Sequence, residues 1–250
     1  MFRTIIILSG ITLSSSVLAG TMSELMSDSQ FLFGLSAGPT WVSGSQSQTI
    51  NLEPDVKKTY TANNQKNLFP SAELFIGWQK PLPARLIGQP LISQLGISIV
   101  GAGNAKRSGD IWEDADPDFD NFNYHYKIQH TDVAVKGRLI VHSVCTFEPY
   151  IAGRIGIGFN RAYDFNITPK IVEEVAPPSF ASNTTTSLIY TLGIGLQKSI
   201  NTHLQAAIGY EFADWGQTQL SRAFGQTINH GLTESHLYAN QVQLSLFYVV

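Results

Sequence analysis

The 250-residue sequence predicts an all-β fold, an eight-stranded antiparallel up-and-down transmembrane β-barrel. Three observations predict it: eight segments alternate between aliphatic and small or polar residues, long and short connections alternate between them, and only 14% of residues are charged. A typical soluble domain has about 25% charged residues, so much of this surface is expected to lie outside water. The net charge of −3 gives no basic excess for neutralising phosphates, which argues against nucleic-acid binding.

Residues 1–19 have the pattern of a secretory signal peptide. Arg3 supplies the positive charge, an apolar stretch follows, and Val17 and Ala19 match the small-residue cleavage site. We therefore expect cleavage after Ala19 and a barrel domain over residues 20–250. No apolar stretch in that region approaches the 18 residues of a membrane helix, so a closed barrel of strands is the remaining way to cross lipid.

The first four predicted strands cover residues 31–42, 70–80, 91–103 and 126–142. In each of them apolar residues alternate with small or polar ones. This pattern predicts a strand, because successive side chains of a strand point to opposite faces. The residues on their aliphatic faces are Phe31, Phe33, Leu35, Ala37, Trp41, Leu74, Ile76, Trp78, Leu91, Leu95, Ile97, Ile99, Val133, Val135, Leu139 and Val141.

The last four predicted strands cover residues 149–161, 186–198, 203–215 and 236–250. The fifth strand is the clearest, because Ile155 and Ile157 alternate with Gly156 and Gly158. The other residues on these aliphatic faces are Ile151, Phe159, Leu188, Tyr190, Leu192, Ile194, Leu196, Leu204, Ala206, Ile208, Tyr210, Phe212, Val242, Leu244, Leu246, Tyr248 and Val250.

The polarity of the two faces favours a membrane barrel over a soluble barrel of the lipocalin type. In a soluble barrel the aliphatic face would point inward and charges would point out. Here the charged residues share the face of the Gly and Ser residues, where a narrow eight-stranded interior needs small side chains. Aromatic residues near the strand ends are expected to form girdles at the membrane interfaces: Trp41, Trp78, Tyr150, Tyr210, Phe212 and Tyr248.

The lengths of the connections indicate the orientation of the barrel. The long connections are residues 43–69, 104–125, 162–185 and 216–235, and the short ones lie near residues 81–90, 143–148 and 200–202. With eight strands, all four long loops fall on one side, as in outer-membrane barrels with short periplasmic turns. We therefore expect the outer membrane as the location, with the long loops outside the cell.

Three segments resemble the small eight-stranded outer-membrane barrels of Gram-negative bacteria, the OmpA-like transmembrane barrel and opacity-type surface protein superfamily. EPYIAGRIGIGFN (148–160) is similar to the fifth strand of that group, and AAIGYEFADWG (206–216) to its penultimate strand. VQLSLFYVV (242–250) is similar to the terminal strand that the barrel-assembly machinery reads, although the family usually ends on Phe or Tyr and this chain ends on Val250. The resemblance implies outer-membrane lipid, lipopolysaccharide and that machinery as partners, with host or surface ligands at the long loops.

Six charged residues are predicted to face the barrel interior. Three are acidic and three basic, so we expect them to form ion pairs, since an unpaired buried charge is costly. A salt-bridged plug is the favoured interpretation, and a gated or narrow polar pore is the alternative. The six residues are Glu73, Asp132, Lys136, Arg138, Arg154 and Glu211.

The sequence predicts no catalytic residues, cofactor or metal site. Ser235 and His236 are adjacent, so on a strand they would point to opposite faces and share no proton, and the His-x-Ser pair of lipid A deacylases is missing. The single Cys145 is expected in a short turn. Asp114, Asp116 and Asp118 have the spacing of a calcium loop, but Phe119 and His125 stand where its Gly and Glu belong.

A surface or structural role follows from these observations. We expect the protein to contribute to envelope integrity, adhesion or host interaction through its four long loops, and we do not expect it to be an enzyme. A narrow porin-like channel for small solutes is the alternative, and a barrel hydrolase acting on lipids is a third, less favoured hypothesis.

Overall fold

The computed structural model describes residues 29–63, 67–142, 146–171 and 173–250. Within these ranges the fold is almost entirely antiparallel β-structure, with one short 3-10 helix at Pro117–Phe119. The strands are β1 (Gln30–Ser43), β2 (Gln48–Glu53), β3 (Val56–Tyr60), β4 (Leu68–Leu86), β5 (Gln89–Glu113), β6 (Asp120–Val141), β7 (Glu148–Pro169), β8 (Asn183–Ser199), β9 (Leu204–Asp214), β10 (Thr218–Gln219), β11 (Thr233–Glu234) and β12 (Tyr238–Val249).

Eight of these strands form a closed barrel. The order around the wall is β5-β4-β1-β12-β9-β8-β7-β6, and pairing between β5 and β6 closes the ring. The first and last strands are neighbours, with Leu35 opposite Leu246. The prediction of an eight-stranded antiparallel up-and-down barrel is therefore confirmed.

The outer wall of the barrel is apolar over the lower part of every strand, which we call the membrane region (residues 31–41, 69–79, 94–102, 131–141, 149–159, 188–198, 204–214 and 239–249). Predicted outward residues such as Leu95, Ile155 and Leu244 are 56–64% exposed there. A water-soluble barrel requires the reverse polarity, so the lipocalin-type alternative is wrong. No helix of the described residues is long and apolar enough to cross a membrane.

One predicted girdle residue points the other way. Tyr150 lies on the inner face, where its hydroxyl fits over Gly195 and Gly209. A Cβ atom at either glycine would lie 2.5 Å or less from that hydroxyl, so only glycine leaves room for the ring. The sequence prediction was wrong here because an aromatic residue near a strand end can either face the membrane interface or fill the barrel interior.

The short connections lie on the side of the barrel that holds both described chain ends. Ile87 and Gly88 form a two-residue turn with positive φ angles of 50° and 76°, which fits the twist of a hairpin. In another turn the Asn201 side chain accepts hydrogen bonds from the backbone of His203 and Leu204. Cys145 and the signal-peptide residues 1–19 lie outside the described residues, so those predictions stay predictions.

Much of the predicted long connections is strand, and this corrects the predicted strand boundaries. β5 has 25 residues, and at ~3.3 Å per residue it is ~80 Å long, far more than the ~10 residues that cross a membrane. β5 ends at Glu113 and β6 begins at Asp120, so most of the predicted 104–125 loop is strand, and β7 likewise continues to Pro169. The β2–β3 hairpin extends this sheet through Thr59, which pairs with Trp112.

The extended sheet and the segment between β9 and β12 form what we call the extracellular domain (described residues of 44–63, 103–130, 160–182 and 215–237). It has a continuous hydrophobic core of its own. Its largest buried side chains include Ile111, Phe122, Tyr124, Tyr126, Ile128, Phe165, Phe180, Trp215, Leu220 and Leu237. Because each such side chain contributes about 1.5–3 kcal/mol when fully buried, these residues stabilise an ordered domain.

Candidate functional site

The interior of the membrane region holds all six charged residues that the sequence placed there. Each of them is at most 4% exposed. The structure arranges them in three layers across the lumen, and the strand register assigns the pairings that the sequence left open.

The central layer is an ion-pair cluster around Lys136. Its ammonium group lies 2.8 and 2.9 Å from the two carboxylate oxygens of Glu73 and 2.8 Å from Oε1 of Glu211. These residues come from β6, β4 and β9, so the cluster connects walls that are distant in sequence. Gln243 adds a weaker contact of 3.4 Å to Glu73. Paired in this way, the charges avoid most of the cost of isolated burial.

The upper layer joins Arg154 and Asp132 to a buried histidine. Arg154 Nη1 lies 3.1 Å from Asp132 Oδ1, and the other oxygen of Asp132 is 2.9 Å from His130 Nε2. His130 Nδ1 contacts Asn160 Oδ1 at 2.7 Å. The His130 ring also stacks on Trp215, with centroids 4.1 Å apart. This layer therefore connects the lumen to the extracellular domain.

The lower layer centres on Arg138. Its guanidinium group lies between the rings of Tyr150 and Phe247, at 4.0 and 4.4 Å from their centroids. Nη1 donates a 2.7 Å hydrogen bond to Gln94, which bonds in turn to Gln79. Arg138 therefore stands apart from the acidic residues, and aromatic rings take the place of an ion pair.

A buried ion pair holds the top of the barrel closed. Arg107 on β5 makes two parallel hydrogen bonds of 2.9 Å to Glu234 on β11, and the Tyr126 hydroxyl lies 3.2 Å from the same carboxylate. Burial, followed by the charge of Glu234, raises the pKa of Tyr126 well above its ordinary value. Asn160 also donates to the backbone carbonyl of Trp215 at 2.7 Å. The 215–237 segment is thus fixed over the lumen as a lid.

Sequence reasoning missed the residues that make this lid. His130, Arg107 and Glu234 fall in segments predicted as loop or strand end, where alternation gives no signal for burial. A usable signal was present in β6, where Tyr124 and Tyr126 occupy the face opposite to Val133 and Val135. The apolar side chains of β6 therefore change from the outer to the inner face at the point where the strand leaves the lipid.

The acidic segment that resembled a calcium loop uses its carboxylates differently. Asp110 and Asp120 both bind the ammonium group of Lys170, at 2.9 and 2.6 Å. Partial burial acts to lower the pKa of Lys170, but the hydrogen bonds to these two carboxylates outweigh it and raise that pKa. Asp116 accepts a bond from the backbone of Asp118. Among the described residues, no three His, Cys, Asp or Glu side chains come together as metal ligands.

The Ser235–His236 pair gives no Ser–His contact. His236 Nδ1 lies 2.7 Å from Asp214 Oδ2, and the imidazole ring stacks on Tyr238 with centroids 5.6 Å apart. A hydrolase would need a nucleophile in reach of that imidazole, and the adjacent Ser235 is not its hydrogen-bond partner. This histidine therefore anchors the end of the lid to β9.

Several outer-membrane proteins have similar solved structures. Neisserial surface protein A is 9% identical with a TM-score of 0.46, and the match covers 87% of this chain and 96% of that one. OmpT, the outer membrane protease of Escherichia coli, is 8% identical with a TM-score of 0.43, covering 92% and 99%. Ail of Yersinia pestis is 12% identical with a TM-score of 0.37, covering 88% and 99%. No family model matches the sequence, and no curated protein matches it.

With TM-scores below 0.5, these likenesses carry no weight for function, and the class of protein follows from the molecule's own geometry. A closed ring of eight strands, an aliphatic outer wall and a charged interior define a small outer-membrane β-barrel. The resemblance indicated by the sequence is confirmed at the level of the fold, and the protein lies in the outer membrane of a Gram-negative envelope.

Proposed function

We propose that the protein acts at the cell surface as a recognition protein. The barrel anchors it in the outer membrane, and the extracellular domain presents a fixed binding surface to ligands outside the cell. Adhesion or host interaction, two of the roles predicted from the sequence, are the natural uses of such a surface.

The observation that supports this proposal most is the hydrophobic core of the extracellular domain. Trp215, Leu220 and Leu237 are each at most 1% exposed, although they belong to a connection between two barrel strands. Flexible loops lose affinity because binding must order them, whereas a preformed surface avoids that cost. An apolar core of this size is therefore well suited to holding a recognition surface.

The filled lumen favours an anchor over the narrow channel. The Lys136 cluster and the Arg138 layer occupy its cross-section, and the lid covers its outer end. Conduction would require the lid and the ion pairs to move together. Among the described residues the hydrogen-bond partner of His236 is Asp214 and not the adjacent Ser235, which gives lipid hydrolysis no support, and a non-enzymatic role is part of the proposal. Contacts with lipopolysaccharide and with the barrel-assembly machinery stay predictions.

Conductance and surface binding together test this function. The purified protein is placed in planar lipid bilayers, and bacteria displaying it are tested on arrays of immobilised oligosaccharides and extracellular-matrix proteins. We expect no ion-conducting steps, and we expect binding that disappears when the β2–β3 hairpin is replaced by a short Gly-Ser turn. Steady conductance without binding to any array component would contradict the proposal.

The hairpin deletion has a direct control in the same cells. The deleted protein should still resist SDS and shift on heating, because β1, β4 and β5 form the barrel without the hairpin. Loss of that heat-dependent shift would mean that the barrel itself failed, and a smaller change, Asn51→Ala within the hairpin, would then replace the deletion.

A further inference from the structure

A polar groove of about 500 Å³ lies on the extracellular domain, between the β2 strand and the segment 229–233. Its polar side chains are mainly amides and hydroxyls, and among the described residues that line it none carries a carboxylate. Of the lining residues that the structure describes, Lys57 and His230 are the basic ones. The main lining residues are Gln48, Thr49, Asn51, Gln219, Asn229 and Thr233.

Both walls of the groove are held in place by hydrogen bonds. The Gln48 side chain accepts from the backbone N–H of Thr233 and donates to its carbonyl, at 3.0 and 2.7 Å. The Asn229 side chain donates to the carbonyl of Asn51 at 2.8 Å. On the far side, Arg222 donates to the carbonyl of Asn229 at 2.6 Å. The groove is therefore present before a ligand arrives.

These bridges limit the length of the occupant. Gln48 closes one end and the Asn51–Asn229 bond closes the other, and these ends are three residue steps apart along β2, or ~10 Å. The backbone of Thr227 also donates to Leu52. An added β-strand would need a longer free edge, so a compact ligand fits better than an extended polypeptide.

The chemistry of the lining indicates a ligand rich in hydroxyl groups. Amide groups both donate and accept hydrogen bonds, as hydroxyls do, and neutral lining groups suit a neutral ligand. The surrounding domain has twelve Asp or Glu against eight Lys or Arg, so it repels polyanions such as sulfated chains or nucleic acids.

We infer that this groove binds one or two terminal sugar residues of a neutral or weakly charged oligosaccharide. The inference rests on the proposed recognition function and names the ligand class of that surface. The carbohydrate hydroxyls exchange hydrogen bonds with the Asn51, Gln219 and Thr49 side chains, while Lys57 and His230 tolerate a single negative charge.

The test uses the full-length protein in detergent micelles on an array of neutral, singly acidic and polysulfated oligosaccharides, with extended peptides as a comparison. We expect binding to neutral or singly acidic oligosaccharides. The Asn51→Ala and Gln219→Ala changes should each weaken that binding about three- to tenfold, as loss of one hydrogen bond does. Asn123→Ala is the matched control, since Asn123 is exposed on another strand, β6, outside the groove.

Five outcomes of this test and of the conductance and surface-binding test decide whether the groove binds an oligosaccharide. Oligosaccharide binding that is weakened by the groove variants and not by Asn123→Ala supports the inference. Equal binding by all three variants, or binding to extended peptides alone, overturns it. Binding to matrix proteins without any oligosaccharide also overturns it, and in that case the recognition function survives. If no array component binds and the bilayers conduct, the proposed function fails together with the inference.

Discussion

The membrane region and the extracellular domain are built from the same strands with opposite polarity. In β6, Val133 and Val135 point outward into lipid, while Tyr126 and Ile128, higher on the same strand, point inward to the extracellular core. The apolar face changes sides near His130, where the strand leaves the membrane. The surrounding solvent therefore decides which face must be apolar: lipid requires an apolar exterior, and water requires an apolar interior.

The two regions also differ in what holds them together. The membrane region relies on backbone hydrogen bonds and on buried charge pairs such as Lys136 with Glu73 and Glu211. The extracellular domain relies on aromatic packing, for example the stacked rings of Tyr124 and Phe165, 5.6 Å apart. A substitution that destabilises one region should therefore leave the other region folded.

The largest effect is expected from Lys136→Met, which leaves two carboxylates unpaired inside the barrel. Breaking a buried ion pair from one side costs about 3–5 kcal/mol. The temperature at which the folded band disappears on SDS gels should fall markedly. The variant with Glu73→Gln and Glu211→Gln added is the control and should recover much of the loss. A Lys136→Met barrel that melts like the unaltered protein would show that these charges are not paired in the lumen.

A smaller and more local effect is expected from Arg107→Met. Glu234 then stays buried with the Tyr126 hydroxyl as its remaining partner, and losing the opposite charge costs about 1–3 kcal/mol or more. The lid should open, so trypsin should cleave after Arg222 while the barrel keeps its resistance to SDS. Adding Glu234→Leu should restore protection. Unchanged protection in Arg107→Met would mean that the lid does not depend on this ion pair.

Alkaline pH should unfold the extracellular domain before the barrel, without any substitution. Burial raises the pKa of Tyr60, Tyr124 and Tyr126, with the charge of Glu234 adding to the last two. A raised tyrosine pKa gives stability that is complete below about pH 10 and is lost as pH rises towards the folded-state pKa. The extracellular domain should therefore lose structure above pH 10, while the barrel remains folded.

Absorbance of tyrosinate near 295 nm, followed together with SDS resistance, measures this difference. We expect part of the nine tyrosines to titrate only as the extracellular domain opens. Full titration of all tyrosines near pH 10 in the folded protein would contradict the buried aromatic core.

The smallest effect is expected from Asp164→Asn, which removes the charge of an exposed ion pair. Lys127 lies 2.8 Å from Asp164, and its hydrogen bond lowers the pKa of that carboxyl from 3.8. Asn keeps the contact with Asn166 and tolerates the positive φ of 58°. The slight stability advantage of the unaltered protein should be present at neutral pH and vanish as pH falls through the folded-state pKa. Melting curves at pH 7 and pH 3 check this.

Alternation alone predicted the membrane region correctly, because one face of each strand meets lipid and the other a narrow lumen. The outward positions, the closed order and the interior charges all follow from that single constraint. Strand register sets which charges meet, and it depends on backbone pairing between distant segments, so Lys136 could not be assigned to Glu73 and Glu211 from the sequence.

The extracellular domain was missed because the same constraint no longer applies above the membrane. Tyr124 and Tyr126 interrupt the lipid pattern, so the sequence there looks like a loop, although it continues the strand with its apolar face reversed. Bulges in β5 after Ala102 and in β7 between Tyr163 and Asn166 shift the alternation in those strands further. Trp215 gave no signal at all, since its burial depends on the lid folding back over the barrel.

Hydrogen exchange measured by mass spectrometry, with the protein in lipid nanodiscs, tests the central claim that the long connections form a folded domain. Backbone amides of residues 103–113, 122–130, 218–221 and 231–234 should exchange slowly, on a time scale approaching that of the membrane strands. The turn residues 114–116 should exchange quickly and serve as the internal reference. Exchange of all these segments as fast as residues 114–116 would mean that the barrel carries loose loops, and the account of two oppositely built regions would be wrong.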